Sequence, residues 1–398
     1  MAVQVDTKVE AIRAQLPAVQ STVYLNTGTN GPLPRSVHQA MSELALEEFE
    51  TGRINMAGWM KKAELKPKAR ALLASAFRVQ PSEIALTQLT TEGMNVLIHG
   101  IDWQRGDEAI ITNLEHPGGQ LPLYVVARRA GVQLRLADLG IGDGDVAGKI
   151  ERLITRRTRA VVLSHLAWNT GALLPLKEIV DVCRRHGVLV LVDAAQSAGS
   201  VDLDLHDLDP DGYAMPGQKW LCGPEGTGSL YIREDRLGWF QQTYVNYGSV
   251  LYGSTDDVGG FFTPNAGAAR FDRIATYFPL IAGQIAAMEW LVNDVGLPWA
   301  YDRISRLGKL CHDTLTNIDG VTVITPRDRM AGLVSFNVAG ITPDALVTAL
   351  SDRGITTRTI PHPACVRVST GFYNTEEEIE RLGAAIEEIM RDHANAGS

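Results

Sequence analysis

The sequence predicts an α/β protein with a large domain built on a mostly parallel sheet, followed by a smaller α+β domain. From about residue 83, short apolar runs bounded by polar residues or glycine alternate with segments of helical periodicity. The apolar runs indicate strands at residues 84–87, 109–112, 132–136, 160–164 and 188–192. Between the strands, helices are indicated at 119–130 and 176–186, for example. Strands that alternate with crossover helices form a parallel sheet covered on both faces.

The pattern changes after about residue 285. A long helical stretch is followed by strands predicted at residues 321–324, 333–338, 355–359 and 366–369. The last helix has apolar residues at three- and four-residue spacing behind Thr375, a candidate N-cap. We therefore predict an N-terminal arm at residues 1–20, a large domain at 21–285 and a small domain at 286–398. A helix near residues 8–15 could pack against either domain.

Composition and charge narrow the class of partner. The chain has 398 residues, of which 46 are acidic and 37 basic, giving a net charge of −9. No basic cluster is long enough to follow a phosphate backbone, so we expect no nucleic acid partner and a small-molecule ligand instead.

Targeting signals and cysteine spacing bear on localisation. Residues 1–17 carry interspersed charges, and no run reaches the roughly 18 apolar residues of a membrane span. We expect a cytoplasmic protein with no membrane partner. The four cysteines lie far apart without a C-x-x-C pair, so neither a metal site nor a disulfide framework is expected.

A carboxylate ends the most apolar predicted strand. Residues 188–192 are followed by Asp193, in the segment DAAQ that ends at Gln196. Ligands of open α/β folds bind at the carboxyl ends of parallel strands, where Asp193 is expected to lie. The alternative is an ordinary aspartate cap of a turn or helix.

A lysine follows 26 residues later. Lys219 lies in the segment MPGQKW at 215–220, followed by the glycine-rich segment GPEGTG at 223–228. A lone lysine is usually a solvated surface residue, but this one is flanked by proline, glycine and tryptophan. A low-dielectric site disfavours the charged amine and prepares it to form a Schiff base with an aldehyde. Pyridoxal 5′-phosphate requires such a lysine, together with a carboxylate beside its pyridine nitrogen, and Lys219 and Asp193 fit these two roles.

Together, these segments resemble the class V aminotransferase group of pyridoxal-phosphate enzymes. This group includes cysteine desulfurases, isopenicillin N epimerase and cysteine/cystine C–S lyases. The resemblance extends from about Tyr24 to Thr375. It implies the fold type I architecture of pyridoxal-phosphate-dependent transferases, with catalytic roles for Lys219, Asp193 and His116.

The resemblance also implies the cofactor contacts. A helix that begins at residue 90 would direct its unpaired N–H groups and its dipole at the phosphate. The phosphate residues implied are Thr90, Thr91, Glu92 and Gly93. His116 matches the histidine that stacks on the pyridine ring, and Gln196 matches the residue that bonds the phenolic oxygen. Without the resemblance to the family, we would interpret residues 90–93 as an ordinary helix cap and His116 as a histidine of a surface loop.

Two positions beside Lys219 depart from the family. The family commonly has a hydroxyl residue at position 216 and a histidine at 218, both touching the phosphate. Here they are Pro216 and Gln218. Gln218 can still donate a hydrogen bond without a charge, whereas Pro216 has neither a side-chain hydroxyl nor a backbone N–H.

A later segment resembles the part of the family that crosses the dimer interface. It comprises residues 270–272 (RFD) followed by Ala275 and Thr276. The resemblance implies a homodimer with shared active sites, in which Thr276 reaches the phosphate in the other subunit's site.

Substrate recognition is expected in the small domain. Arg367 matches the family arginine that binds the substrate α-carboxylate as a planar fork. The pattern around Arg358 resembles the C–S lyase branch, in which a second arginine serves the substrate. Residues 168–171 (WNTG) are also closer to that branch, and Asn169 is expected to face the cofactor or substrate.

The reaction is predicted from the connection between those two arginine strands. Cysteine desulfurases carry a nucleophilic cysteine on a mobile loop there, whereas residues 360–365 (IPHPAC) are short and contain two prolines. Cys365 should share the strand face of Arg367 and be structural. We therefore favour α,β-elimination from cystine, cysteine or an S-substituted cysteine to give pyruvate and ammonia. The alternatives are an epimerase, aminotransferase or desulfurase of this family, or a non-catalytic ligand-binding protein on the same fold.

Overall fold

The computed structural model describes residues 7–53, 55–256, 258–272 and 276–396. The strands, in chain order, are β1 (Val23–Tyr24), β2 (Ile84–Thr87), β3 (Glu108–Thr112), β4 (Gln133–Ala137), β5 (Thr158–Ser164), β6 (Leu189–Asp193), β7 (Gly212–Pro216), β8 (Gly228–Ile232), β9 (Val321–Val323), β10 (Leu333–Val338), β11 (Ile355–Thr356), β12 (Arg358–Pro361) and β13 (Ala364–Ser369). The α-helices are α1 (Thr7–Ala14), α2 (Arg35–Thr51), α3 (Met56–Phe77), α4 (Thr90–Gly100), α5 (Pro117–Ala130), α6 (Val146–Glu151), α7 (Leu176–Arg185), α8 (Leu205–Leu208), α9 (Phe278–Glu289), α10 (Leu297–Thr316), α11 (Pro343–Asp352) and α12 (Glu376–Ala396). A π-helix, Trp290–Val295, joins α9 to α10.

A seven-stranded sheet forms the centre of the fold, in the order β2-β8-β7-β6-β5-β3-β4. The pairs from β7 to β4 are parallel, and β8 runs antiparallel to both of its neighbours. Side chains of β6 alternate between two buried clusters, with Val190 and Val192 on one face and Leu189 and Leu191 on the other. Helix α7 contributes to the first cluster, and α4 and α5 contribute to the second. The predicted α/β class with a mostly parallel sheet is confirmed.

A smaller antiparallel sheet follows, in the order β12-β13-β10-β9. Its apolar face packs with α10, α11 and α12 in a third buried cluster. Helix α12 begins after Thr375, whose hydroxyl accepts the Glu378 N–H (3.3 Å), while the Glu378 carboxylate accepts the Thr375 N–H (3.2 Å). This reciprocal pair is a capping box, and it explains why the helix begins here.

One predicted strand, 355–359, is divided in the structure. Ile355–Thr356 pairs in parallel with β1, whereas Arg358–Pro361 pairs with β13 in the small sheet. The chain changes partners at Thr357, because β1 reaches only as far as Thr356. Sequence periodicity records a continuous run of extended residues and does not show the change of partner.

The N-terminal segment contacts residues from distant parts of the chain. Ile12 and Leu16 belong to the core cluster under the central sheet. Arg13 donates to the Tyr373 carbonyl (3.0 Å) and forms an ion pair with Glu378 (2.9 Å). The same core cluster includes Leu333 of β10, so the central and small sheets share buried contacts. The boundaries at residues 20 and 285 remain our proposal for the domains.

Candidate active site

Asp193 lies at the carboxyl end of β6, where its side chain is buried. One carboxylate oxygen accepts the Ala195 N–H at 2.9 Å. Burial raises the pKa of Asp193, whereas the Ala195 N–H and Lys219 act in the opposite direction. A cation placed beside this carboxylate would therefore be held strongly, as the pairing with a protonated pyridine nitrogen requires.

Lys219 lies on the connection between β7 and β8. The Gly217 N–H donates to the Thr227 carbonyl and the Gly223 N–H to the Gly217 carbonyl, both at 2.8 Å, so the loop is closed on itself. The N-terminal turn lies directly against this loop, since a Cβ at Gly31 would come within 2.1 Å of the Lys219 carbonyl oxygen. The conformation of the lysine backbone is therefore fixed from both sides.

The amine of Lys219 has an altered proton affinity. Burial lowers the pKa of Lys219 to about 8, with Asp193 acting in the opposite direction and Arg367 and Arg358 contributing to the decrease. A lysine with a lowered pKa has more of its amine in the uncharged form near neutral pH, and this is the nucleophilic form. This is the chemistry that a bond to an aldehyde requires.

His116 lies at the N-cap of α5. Its Nδ1 atom accepts the Gly118 N–H at 3.0 Å, and its ring stands edge-on to Trp168, with 4.9 Å between the ring centres. Burial lowers the pKa of His116 to about 4, and the positive charges of Lys219, Arg358 and Arg367 contribute. The ring is therefore neutral at physiological pH.

The start of α4 carries unpaired polar atoms. Within the described part of the chain, Thr90 Oγ1 and Gln218 Oε1 are both buried without a hydrogen-bond partner. Leu89, which precedes the helix, provides no side-chain cap. Buried polar groups need partners, and a helix N-terminus attracts anions. The residues present therefore fit the phosphate of a pyridoxal cofactor, with the Gln218 amide able to turn its N–H₂ group toward it.

Three other residues that were predicted to bind the cofactor are held in place by contacts within the protein. Gly93 lies against β7, since a Cβ there would be 2.7 Å from the Ala214 Cβ. The Glu92 carboxylate accepts the Gln88 N–H at 2.7 Å. Gln196 donates to the Gly28 carbonyl (2.8 Å) and accepts from Trp220 Nε1 (3.0 Å), which leaves its second amide N–H for the cofactor.

The proposed dimer segment is described only in part. Asp272 is buried and bonded by both Nη atoms of Arg70. Ala275 lies outside the described residues. Thr276 is partly exposed just before α9, and its contact with the phosphate of another subunit stays a prediction.

Two arginines form a candidate anion site in the small sheet. Arg358 and Arg367 are register partners on β12 and β13. Arg367 is fully buried, its Nη1 donates to the Trp168 carbonyl (2.8 Å), and its Nε has no partner among the described residues. The described residues place no carboxylate within ion-pair distance of either guanidinium. A carboxylate ligand would supply the missing charge.

Asn169 and Cys365 lie beside the arginine pair. The Asn169 amide donates to the His362 carbonyl (3.0 Å) and accepts the Thr170 N–H (2.9 Å). It therefore supports the turn between β12 and β13, and its contact with cofactor or substrate stays a prediction. Cys365 is fully buried, and burial raises the pKa of its thiol to about 11.

The sequence analysis missed Glu115, a buried acid beside His116. It accepts hydrogen bonds from Thr112 Oγ1 (2.8 Å), Ser164 N (2.7 Å) and Ser164 Oγ (2.9 Å). Burial and Asp193 raise the pKa of Glu115 to about 8. The available signal was its position just after an apolar strand, which it shares with Asp193. Thr29, which bonds both arginines, was also missed.

The fold, the partly buried lysine and the buried carboxylate define a pyridoxal-phosphate-dependent enzyme of fold type I. The chain matches the family Aminotransferase class-V over residues 23–382, and it belongs to this family. A structure of the cystine C–S lyase C-DES in complex with its reaction product cysteine persulfide is 36% identical, with a TM-score of 0.88. That match covers 93% of this chain and 98% of C-DES. A second C-DES structure is a lysine-to-alanine variant with glycine covalently linked to the pyridoxal-phosphate cofactor. It is also 36% identical, with a TM-score of 0.89, and the match covers 94% of this chain and 98% of that one.

Curated relatives carry two other activities in their names. A probable cysteine desulfurase of Methanothermobacter thermautotrophicus is 29% identical, over 96% of this chain and 98% of the relative. Isopenicillin N epimerase of Streptomyces clavuligerus is 27% identical, also over 96% and 98%. The chain is therefore similar to enzymes of cysteine C–S chemistry and to an epimerase.

Proposed function

We propose that the protein is a pyridoxal-phosphate-dependent lyase that cleaves the Cβ–S bond of cystine, cysteine or an S-substituted cysteine by α,β-elimination. The observation that carries this proposal is the tight hairpin of β12 and β13. Pro361 pairs with Ala364, so only His362 and Pro363 form the turn. Cys365, one residue beyond Ala364, lies within β13, where it pairs with Ile360 of β12, and not on a loop.

The packing of Cys365 argues against a sulfur-accepting thiol. Its side chain clusters with Trp168 and Ile360, and its Sγ lies 4.0 Å from the Asn169 carbonyl oxygen. A desulfurase thiolate must reach the substrate sulfur, whereas this thiol is buried and its raised pKa keeps it protonated. The 36% identity to C-DES, a cystine C–S lyase by name, supports the same choice.

The residues of this chain divide the work of the proposed reaction. Pyridoxal phosphate, when bound, makes the bonds to the substrate Cα easier to break. The Lys219 amine takes the Cα proton, and Asp193 holds a proton on the pyridine nitrogen. Arg367 and Arg358 bind the substrate carboxylate and orient the Cβ–S bond. The sulfur leaves with the bonding electrons, and the released aminoacrylate hydrolyses to pyruvate and ammonia.

Desulfurase, epimerase and aminotransferase activities use the same cofactor residues, since fold does not fix reaction. A substrate panel separates them: holoenzyme with cystine, cysteine, S-methylcysteine or alanine, assayed for pyruvate, alanine and loss of chirality. We expect pyruvate from the sulfur amino acids and none from alanine. Racemised alanine, or a keto acid formed only with an amino-group acceptor present, would refute the lyase proposal.

We also propose a homodimer with shared active sites. Apolar side chains are strongly exposed in the described residues of segment 244–262, including Tyr252 at 100% and Val258 at 98%. Such patches mark protein contacts. Light scattering of the purified holoenzyme should give twice the chain mass, and a monomer at all concentrations would contradict this.

The cytoplasmic localisation expected from the sequence is likewise kept as a proposal. The four cysteines are all free and buried, as expected for a reducing compartment. In the described part of the chain, no helix combines the length and apolarity needed to cross a membrane.

A further inference from the structure

The hydroxyl of Thr29 lies between the two arginines of the anion site. Arg358 Nη1 and Arg367 Nη2 each lie 3.3 Å from Thr29 Oγ1. Both guanidinium groups therefore converge on one oxygen atom. The two guanidinium groups therefore face one shared ligand position and do not form two separate carboxylate-binding sites.

The direction of the Thr29 hydroxyl is fixed by Asn26. The Thr29 O–H donates to Asn26 Oδ1 at 2.7 Å, and the Thr29 N–H donates to the Asn26 carbonyl at 2.9 Å. A hydroxyl has one hydrogen and two lone pairs. Because its hydrogen is used by Asn26, its lone pairs face the arginines. Asn26 itself forms a bridge to Ser369 at the end of β13, the strand that carries Arg367.

Holding the arginines together opposes their mutual repulsion. Like charges directly opposite each other on paired strands destabilise the sheet. Burial lowers the pKa of Arg367, and Arg358 lowers it as well, which is the direction expected for two neighbouring cations. The Thr29 oxygen is an uncharged acceptor that both cations can share in the free enzyme.

We propose that Thr29 is a positioning residue of the carboxylate site, resting on the function proposed above. Its hydroxyl keeps Arg358 and Arg367 aimed at one place, so that a substrate α-carboxylate meets both at once. Without the hydroxyl, the two guanidinium groups move apart and the substrate binds more weakly. The chemistry at Cα is unaffected, because Thr29 acts only through the arginines.

The test compares three single variants of the holoenzyme. Thr29→Val removes the hydroxyl and keeps the shape, Thr29→Ser keeps the hydroxyl, and Thr22→Val is the matched control. The Thr22→Val variant loses the hydrogen bonds of Thr22 Oγ1 to the Gly354 carbonyl and to Thr356 Oγ1, neither of which involves the arginines. Glycine is the probe, because it has a carboxylate and no Cβ–S bond. Its dissociation constant is obtained from the change in visible absorption of the cofactor on titration.

We expect Thr29→Val to raise the glycine dissociation constant roughly tenfold, as the loss of a hydrogen bond to charged groups predicts. Thr29→Ser and Thr22→Val should stay within about twofold of the parent. With cystine, Thr29→Val should raise KM and leave kcat within about twofold. Should Thr29→Val be unstable, Thr29→Ala serves as the second variant lacking the hydroxyl.

Several results would overturn this role. Unchanged glycine binding in the variants that lack the hydroxyl would do so, as would equal weakening in Thr29→Ser. A loss confined to kcat would place Thr29 elsewhere in the reaction. In the double variant that combines Thr29→Val with Arg358→Ala, the glycine dissociation constant should rise by less than the product of the two single increases. A rise equal to the full product would contradict the proposal that Thr29 acts through Arg358. Absence of pyruvate from cystine would refute only the lyase function, since glycine binding does not depend on C–S cleavage.

Discussion

Arg358 lies directly opposite Arg367 across the antiparallel pair of β12 and β13, and both contact the Thr29 hydroxyl at 3.3 Å. The same short hairpin holds Cys365 in a buried position. The proposed substrate recognition and the absence of a mobile thiol among the described residues thus have one structural origin. A two-residue turn leaves no length for a loop, and the strands it joins are needed to present the arginines.

Loss of Arg367 should impair every amino-acid substrate. A bidentate arginine–carboxylate bond contributes on the order of 2–3 kcal/mol, so Arg367→Ala should lower kcat/KM roughly 30- to 150-fold. Steady-state kinetics with cystine and S-methylcysteine measure this. As a control, Arg327→Ala removes an exposed pair with Asp313 and should stay near the parent value. Normal kcat/KM in Arg367→Ala would exclude it from the carboxylate site.

Loss of Arg358 should weaken the binding of every amino-acid substrate, because its guanidinium converges with that of Arg367 on the same carboxylate position. Arg358→Ala should therefore lower kcat/KM for cystine and for S-methylcysteine by similar factors, measured under the same conditions. Cystine has a second carboxylate beyond its sulfur atoms, whereas S-methylcysteine has none. A clearly larger loss for cystine would mean that Arg358 binds the distal end and not the α-carboxylate.

Substitution of Lys219 and substitution of Asp193 should impair the enzyme in different ways. Lys219→Ala removes the amine and should abolish both turnover and the visible absorption of lysine-bound cofactor. Asp193→Ala should retain that absorption while losing most of the Cα proton removal, measured by deuterium exchange from solvent. The exposed Lys177→Ala serves as control. Normal turnover in Lys219→Ala would contradict the whole site assignment.

Glu115 should make stability depend on pH. Its pKa is raised from 4.5 to about 8, so the folded protein holds a proton that the unfolded chain releases above pH 4.5. The stability from this group is complete below that pH and is lost as pH rises toward 8. The Glu115→Gln variant does not lose this stability as the pH rises. The melting temperature of the variant minus that of the parent should therefore increase from pH 5 to pH 8.

A matched control and one outcome decide the Glu115 prediction. The exposed Glu380→Gln on α12 should show the same difference from the parent at both pH values. A constant difference for Glu115→Gln across this range would show that the buried carboxyl does not hold its proton in the folded state.

The central sheet followed from the sequence because local patterns determine it. The run 188–192 is apolar throughout, as a strand buried on both faces must be, and β6 ends at Asp193. The exchange of partners at Thr357 was not predictable, because it depends on β1, more than 300 residues earlier. Periodicity reports which face of a strand is buried and not which strand lies beside it.

The residues of the candidate site likewise divide into those with a local sequence signal and those without one. Lys219 and Asp193 were identified because each has an unusual residue context. Glu115 and Thr29 were missed because their roles depend on contacts between segments far apart in sequence. Thr29 meets arginines 329 and 338 residues away. A threonine in a turn has no local feature that distinguishes it from any other.

The fate of the substrate sulfur tests the proposed function most directly. Holoenzyme is incubated with cysteine or cystine, the products are quantified, and the protein is weighed by mass spectrometry after turnover. Elimination predicts pyruvate in step with ammonia, no added sulfur on any of the four cysteines, and nearly full activity in Cys365→Ala. Stoichiometric alanine, a persulfide on Cys365 and loss of activity in Cys365→Ala would contradict the lyase and establish a desulfurase.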